Sequence, residues 1–166
     1  MPGNVIIYTD GAASGNPGPG GYGVVLISGK HRLEKSEGFR LTTNNRMELL
    51  AVITGLEALK KPGTNVIIYT DSRYVADSVE KGWLFQWESK GFKKKKNPDL
   101  WIRFLKTYRK HNVKFIWIKG HSDNPENEIC DRLAVKASGK KQLLEDAGYC
   151  PAASDGMIFE GEEQSK

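Results

Sequence analysis

Seven residues, Asn4–Asp10 (N-V-I-I-Y-T-D), recur without change at Asn65–Asp71. Each copy is a run of β-branched and aromatic residues with no polar alternation, the pattern of a strand covered on both faces in the middle of an α/β sheet. Each ends on an aspartate. If the two strands lie parallel and adjacent, Asp10 and Asp71 emerge at the same carboxyl edge, where open α/β sheets bind their ligands. Two carboxylates held together repel, and a cation relieves that repulsion. Taken alone, the heptapeptides are accounted for equally well as two core strands, each followed by a solvated turn residue.

The rest of the chain narrows the choice. Its 166 residues suit one domain, large enough to bury about two thirds of its unfolded surface. Cys130 and Cys150 have no metal-ligand spacing and no signal peptide precedes them, so a reduced, cytoplasmic setting is expected. The longest apolar run, Leu49–Ile53, is far too short to span a bilayer. Charge is segregated: residues 81 to 119 hold twelve Lys/Arg against two acids, a net +10 within a chain whose total is +5. Such a field releases counterions from a nucleic acid, although a solvated helix face also explains a charge run. The last 22 residues carry six acids against Lys166 alone. Residues 151–166 read as a disordered acidic tail after a domain spanning 1–150.

In order, the pattern reads β-β-β-α-β-α-α-α-β-α. After Asp10, the segment Gly11–Gly21 holds five glycines and two prolines and reads as a rigid loop with a bared backbone, from which Asn16 could donate to a phosphate. A hairpin turning at Gly29-Lys30 follows. Thr42–Asn45 offers caps for a helix running to about Lys60 that is apolar nearly all round. Glu48 is the anomaly in its first turn: either it serves the helix dipole or it projects toward the sheet edge. Trp83, Trp87 and Lys93–Lys96 mix aromatic and basic side chains in a manner suited to stacking and phosphate contact, with core packing equally open for the tryptophans. Asn97-Pro98-Asp99 starts a helix strongly. His121 lies in a Gly-hinged loop fit for proton transfer, or for a plain surface residue. Asp131 falls inside the apolar pattern of the last helix.

These pieces together (strand–Asp10, the Gly-rich segment, T-T-N-N-R-M-E at Thr42–Glu48, Y-T-D-S at Tyr69–Ser72, W-I-K-G-H at Trp117–His121, P-E-N-E-I-C-D at Pro125–Asp131) resemble bacterial type 1 ribonuclease H. The resemblance runs up to Tyr149. It implies a ribonuclease H-like α/β fold with a five-stranded mixed sheet, order 3-2-1-4-5, and helices on both faces. It also implies a monomeric enzyme that cuts the RNA strand of RNA–DNA hybrids to 5′-phosphate and 3′-hydroxyl ends, serving primer removal and R-loop clearance. On this resemblance Asp10, Glu48, Asp71 and Asp131 hold metal, two Mg²⁺ ions with substrate bound and Mn²⁺ able to substitute, while His121 assists turnover. Hard cations of this kind favour oxygen ligands, and two ions about 4 Å apart suit phosphodiester hydrolysis.

The substrate surface implied by the resemblance comprises Asn16, Thr43, Asn44 and Asn45 on one side. On the other it comprises Trp83 with Lys93, Lys94, Lys95 and Lys96 in a basic protrusion over residues 81–97. Two residues past the second aspartate relatives often carry Gln; here Arg73 stands, able to donate to a 2′-hydroxyl or a phosphate. Two competing readings are a hybrid-binding module without catalysis, disfavoured by the complete acid set, and a DNA-processing nuclease of the same fold, which usually lacks the protrusion.

Overall fold

The computed structural model describes residues 4–120 and 124–150. Ten elements follow the expected order: β1 (Val5–Ala13), β2 (Gly18–Ser28), β3 (His31–Thr42), α1 (Asn44–Glu57), β4 (Asn65–Thr70), α2 (Arg73–Glu80), α3 (Trp83–Ser89), α4 (Pro98–Tyr108), β5 (Asn112–Trp117) and α5 (Pro125–Ser138). They build one mixed sheet in the order β3-β2-β1-β4-β5. β1, β2 and β3 are antiparallel neighbours. β4 is parallel to β1, and β5 to β4.

The twin heptapeptides are these central neighbours, and their register sets identical residues opposite one another, from Val5 beside Val66 to Tyr8 beside Tyr69. The two tyrosine rings stack with centroids 4.9 Å apart and planes 12° from parallel. Covering on both faces holds for only one of them. Val5, Ile7, Thr9, Val66, Ile68 and Thr70 are buried, whereas Ile6, Tyr8, Ile67 and Tyr69 are half-buried. The asymmetry follows from helix placement, since α5 lies over β1, β2 and β3 and leaves the second face of the centre partly open.

The expected loop over Gly11–Gly21 is also corrected. Gly11–Ala13 end β1 and Gly18–Gly21 begin β2, leaving Ser14–Pro17 as the connection. The glycines serve close approach instead of turning. A Cβ on Gly21 would lie 2.6 Å from Ala134 O, on Gly23 2.3 Å from Cys130 O, and on Gly38 2.0 Å from Ala137 O. The backbone of α5 therefore rests directly on β2 and β3, a use of strand glycine that leaves no room for a side chain.

On the opposite face α1 is buried at eleven of its fourteen positions, as its all-round apolar character predicts. Thr43 caps it, Oγ1 accepting from Arg46 N at 3.2 Å. Against α1 packs α4, whose Trp101 and Phe104 are fully buried. The two protrusion tryptophans divide: Trp87 meets Trp101 edge-on at 6.0 Å, while Trp83 is 42% exposed.

One charge is buried in this layer. Arg46 is 1% exposed and donates to both oxygens of Asp99 (2.9 and 2.7 Å), to both of Asp146 (2.7 and 3.0 Å) and to Asn97 Oδ1 (3.2 Å). Burial by itself lowers a guanidinium's proton affinity, but the bonds to Asp99 and Asp146 outweigh it and hold the group more firmly charged than usual. The knot fastens the segment around Asp146 to α1 and α4. Among the described residues, no helix is long and apolar enough to cross a membrane.

Candidate active site

The carboxyl ends of β1 and β4 meet the first turns of α1 at one edge of the sheet. Asp10 sits in β1 opposite Gly23 of β2, 3% exposed, with Oδ1 accepting from Gly11 N at 2.9 Å. Gly11 lets α1 approach, since a Cβ there would stand 2.4 Å from the Met47 carbonyl carbon and 2.6 Å from Glu48 N. That proximity delivers Glu48, fully buried, to Asp10. Asp71 follows β4 directly, in a turn braced by Ser72 N donating to Thr70 Oγ1 (3.0 Å) and Val75 N donating to Ser72 Oγ (3.2 Å). The strand-to-helix connection after β5 passes over it: a Cβ on Gly120 would meet Asp71 Oδ2 at 2.9 Å.

The outcome is a cluster in which one carboxylate oxygen from each of Asp10, Glu48 and Asp71 lies within 4.8 Å of the others. Three like charges at that spacing repel by about 3 kcal/mol per pair at an effective dielectric near 20. Oxygen donors, net negative charge and burial are the donor set of a hard divalent cation, so the site passes the chemical test for one. Asp131 is half-buried on α5 and does not join the 4.8 Å group. Its neighbour Cys130 is buried against β1, donating Sγ–H to Tyr8 O at 3.2 Å. Burial and then the charge of Asp10 push that thiol's pKa up. His121 lies outside the described residues, as does the expected tail over 151–166.

On the β1 side, Asn44 Oδ1 accepts from Ala13 N (2.6 Å) and Asn16 Oδ1 accepts from Asn44 N (3.0 Å), so Asn16 keeps its amide NH₂ as an exposed donor. Thr43 and Asn45 are buried at 7% and 1%; Thr43 is committed to the helix cap. In the protrusion, Lys93 and Lys94 are exposed and Lys95 and Lys96 half-buried, with Lys95 Nζ 5.3 Å from the Trp87 centroid and Lys81 Nζ 5.3 Å from that of Trp83. Arg73 opens α2, its guanidinium 3.9 Å from the ring centroid of Trp117.

Two features had no sequence signal. Trp117 Nε1 donates to Asp71 O at 3.0 Å, and Asn127, 4% exposed on α5, has an amide nitrogen with no hydrogen-bond partner among the described residues. Neither periodicity nor spacing announces a bond across 46 residues.

A family model described as RNase H matches residues 2–139. The chain belongs to the RNase H family. It is 56% identical over 150 residues to a ribonuclease H of Trichodesmium erythraeum, covering 87% of this chain and 95% of that protein. It is 58% identical over 144 residues to a ribonuclease H of Desulforamulus reducens, covering 84% and 90%. Among solved structures it is similar to LC9-RNase H1, described as a type 1 RNase H with the type 2 active-site motif, at TM-score 0.76 and 29% identity over 95% of this chain and 85% of that one. It is also similar to LC11-RNase H1 in complex with RNA/DNA hybrid, at TM-score 0.58 and 30% identity over 81% and 96%. As an RNase H, the protein is an endoribonuclease, a phosphodiester hydrolase of a divalent-metal-dependent family, and the acid cluster at its sheet edge has the donor chemistry that dependence requires.

Proposed function

We propose that this RNase H hydrolyses the RNA strand of RNA–DNA hybrids in Mg²⁺, leaving 5′-phosphate and 3′-hydroxyl ends. The convergence of Asp10, Glu48 and Asp71 carries the reading. The hybrid seen with LC11-RNase H1 supports the substrate class. Asp10, Glu48, Asp71 and Asp131 would hold Mg²⁺, two ions when substrate is present, with Mn²⁺ as a working substitute. Bound there, the metal would supply Lewis-acid charge for the attacking and leaving oxygens. The chain's own residues do the rest. The buried carboxylates fix where that charge sits, Asn16 offers its amide to the backbone near the scissile bond, and His121 moves a proton in turnover. The protrusion over 81–97, with Trp83 and Lys93–Lys96, grips the DNA strand through charge. The protein acts as a cytoplasmic monomer, with residues 1–150 as one domain and 151–166 as a tail dispensable for cleavage.

The test is cleavage of labelled RNA–DNA hybrid, duplex RNA and duplex DNA with Mg²⁺, Mn²⁺ or EDTA. Hybrid alone should be cut, and only with metal. Asp10→Asn should lower the rate by about 10³-fold or more, equivalent to about 4 kcal/mol of transition-state stabilisation. Normal cleavage by that variant, or preference for duplex DNA, overturns the reading. Replacing Lys93–Lys96 with glutamine should weaken hybrid binding and flatten its salt dependence without altering metal affinity.

A further inference from the structure

Seven arginines lie among the described residues, and five of them, Arg32, Arg40, Arg46, Arg103 and Arg109, donate to carboxylates. Arg73 does not, although it stands two residues beyond Asp71. Among the described residues its guanidinium takes no hydrogen bond or ion pair and lies instead 3.9 Å from the centre of the Trp117 ring. The indole is itself anchored. Trp117 closes β5 opposite Thr70, and its Nε1 donates to the carbonyl of Asp71 at 3.0 Å. The residue that contributes a carboxylate to the acid cluster thus also fixes the platform on which the cation rests.

Stacking occupies the face of a guanidinium and leaves its in-plane N–H donors available, and those donors match the fork of a phosphate. Arg73 is exposed at the first position of α2, at the same sheet edge as the cluster and on its β5 side. Asn16 and Asn44 bound the cluster on the β1 side. A cation so placed, held by an aromatic ring instead of by a neighbouring acid, keeps its charge for an incoming anion. It has also lost much of its rotamer freedom before that anion arrives.

The geometry points to Arg73 as a pre-set phosphate clamp for the cleaved strand, donating to the non-bridging oxygens of a phosphodiester next to the scissile one, with Trp117 as its positioning residue. This rests on the hybrid-cleavage reading above. The alternative ligand at that point, a ribose 2′-hydroxyl, is neutral and releases no counterion. Salt dependence therefore separates the two.

The experiment measures hybrid affinity in EDTA across a salt series, then kcat and KM in Mg²⁺, for wild type, Arg73→Gln, Arg73→Lys, Trp117→Phe and the Arg73→Gln/Trp117→Phe pair. Arg73→Gln should weaken binding about tenfold, the loss expected for one charge-assisted contact. It should reduce the salt slope by about 0.7–0.9, one phosphate's worth, and raise KM more than it lowers kcat. Arg73→Lys should recover the slope but only part of the affinity, because it keeps the charge and loses the fork. With Trp117→Phe the pair should be non-additive. Weaker binding by Arg73→Gln at an unchanged slope overturns the phosphate assignment, and unchanged affinity overturns the clamp. Should Trp117→Phe melt below assay temperature, the Arg73 variants decide alone. Failure of wild type to cut hybrid marks failure of the underlying reading, whereas a cutting wild type with an indifferent Arg73→Gln marks failure of the clamp only.

Discussion

Two clusters of buried charge share the first turns of α1, and they are built on opposite plans. Arg46 lies between Asp99 and Asp146, each giving it both oxygens, so cation and anions alternate and the arrangement is complete within the chain. Two residues on, Glu48 faces Asp10 and Asp71, all three of one sign within 4.8 Å. The first plan locks three segments of backbone together. The second stores repulsion that an external cation relieves, which is the arrangement expected of a site whose task is to bind metal. Buried charge thus divides by sign pattern: alternating charges hold the fold, and like charges await a ligand.

The contrast is broken most forcefully at Arg46. Arg46→Met should destabilise by about 3–5 kcal/mol in urea unfolding, since it strands carboxylates at the knot; a loss below 1 kcal/mol would deny the knot its structural role. Next in size, Mg²⁺ at about 100 times its Kd should stabilise wild type by about 2.7 kcal/mol, and Asp10→Asn should lose most of that gain in the same melts. Smaller again, Asp10→Asn without metal should be more stable than wild type by about 1 kcal/mol, having shed repulsion at the price of activity. Stability falling instead would mean that the carboxylate is compensated in the metal-free fold. Least affected should be Glu57→Gln, within about 0.5 kcal/mol, because the Arg103–Glu57 pair is a half-exposed surface contact.

Much of this was legible in the chain. The heptapeptide repeat predicted adjacent parallel strands with acids at a common edge, and Asp10 and Asp71 meet there. Glu48, conspicuous as a charge on an otherwise apolar helix, completes the cluster. What escaped did so for identifiable reasons. Arg46 sits in a polar capping stretch, and its partners Asp99 and Asp146 are 53 and 100 residues distant, so no local period reports them. The segment Gly11–Gly21 resembled a loop because glycine most often marks a turn. Here Gly21 and Gly23 are spaced two apart on one face of β2, and a helix backbone takes the room their side chains would fill. Two-sided burial of the repeated strands was overread, since an unbroken apolar run does not say how far the second helix layer extends.

The seat of α5 on Gly23 has one more consequence. Cys130 O, which lies against that glycine, belongs to the peptide joining residue 130 to Asp131, so the strand acts as a ruler for the height of this acid above the sheet. A single methyl at position 23 would work as a shim, lifting the helix and moving Asp131 away from the sheet edge while all three clustered carboxylates stay in place.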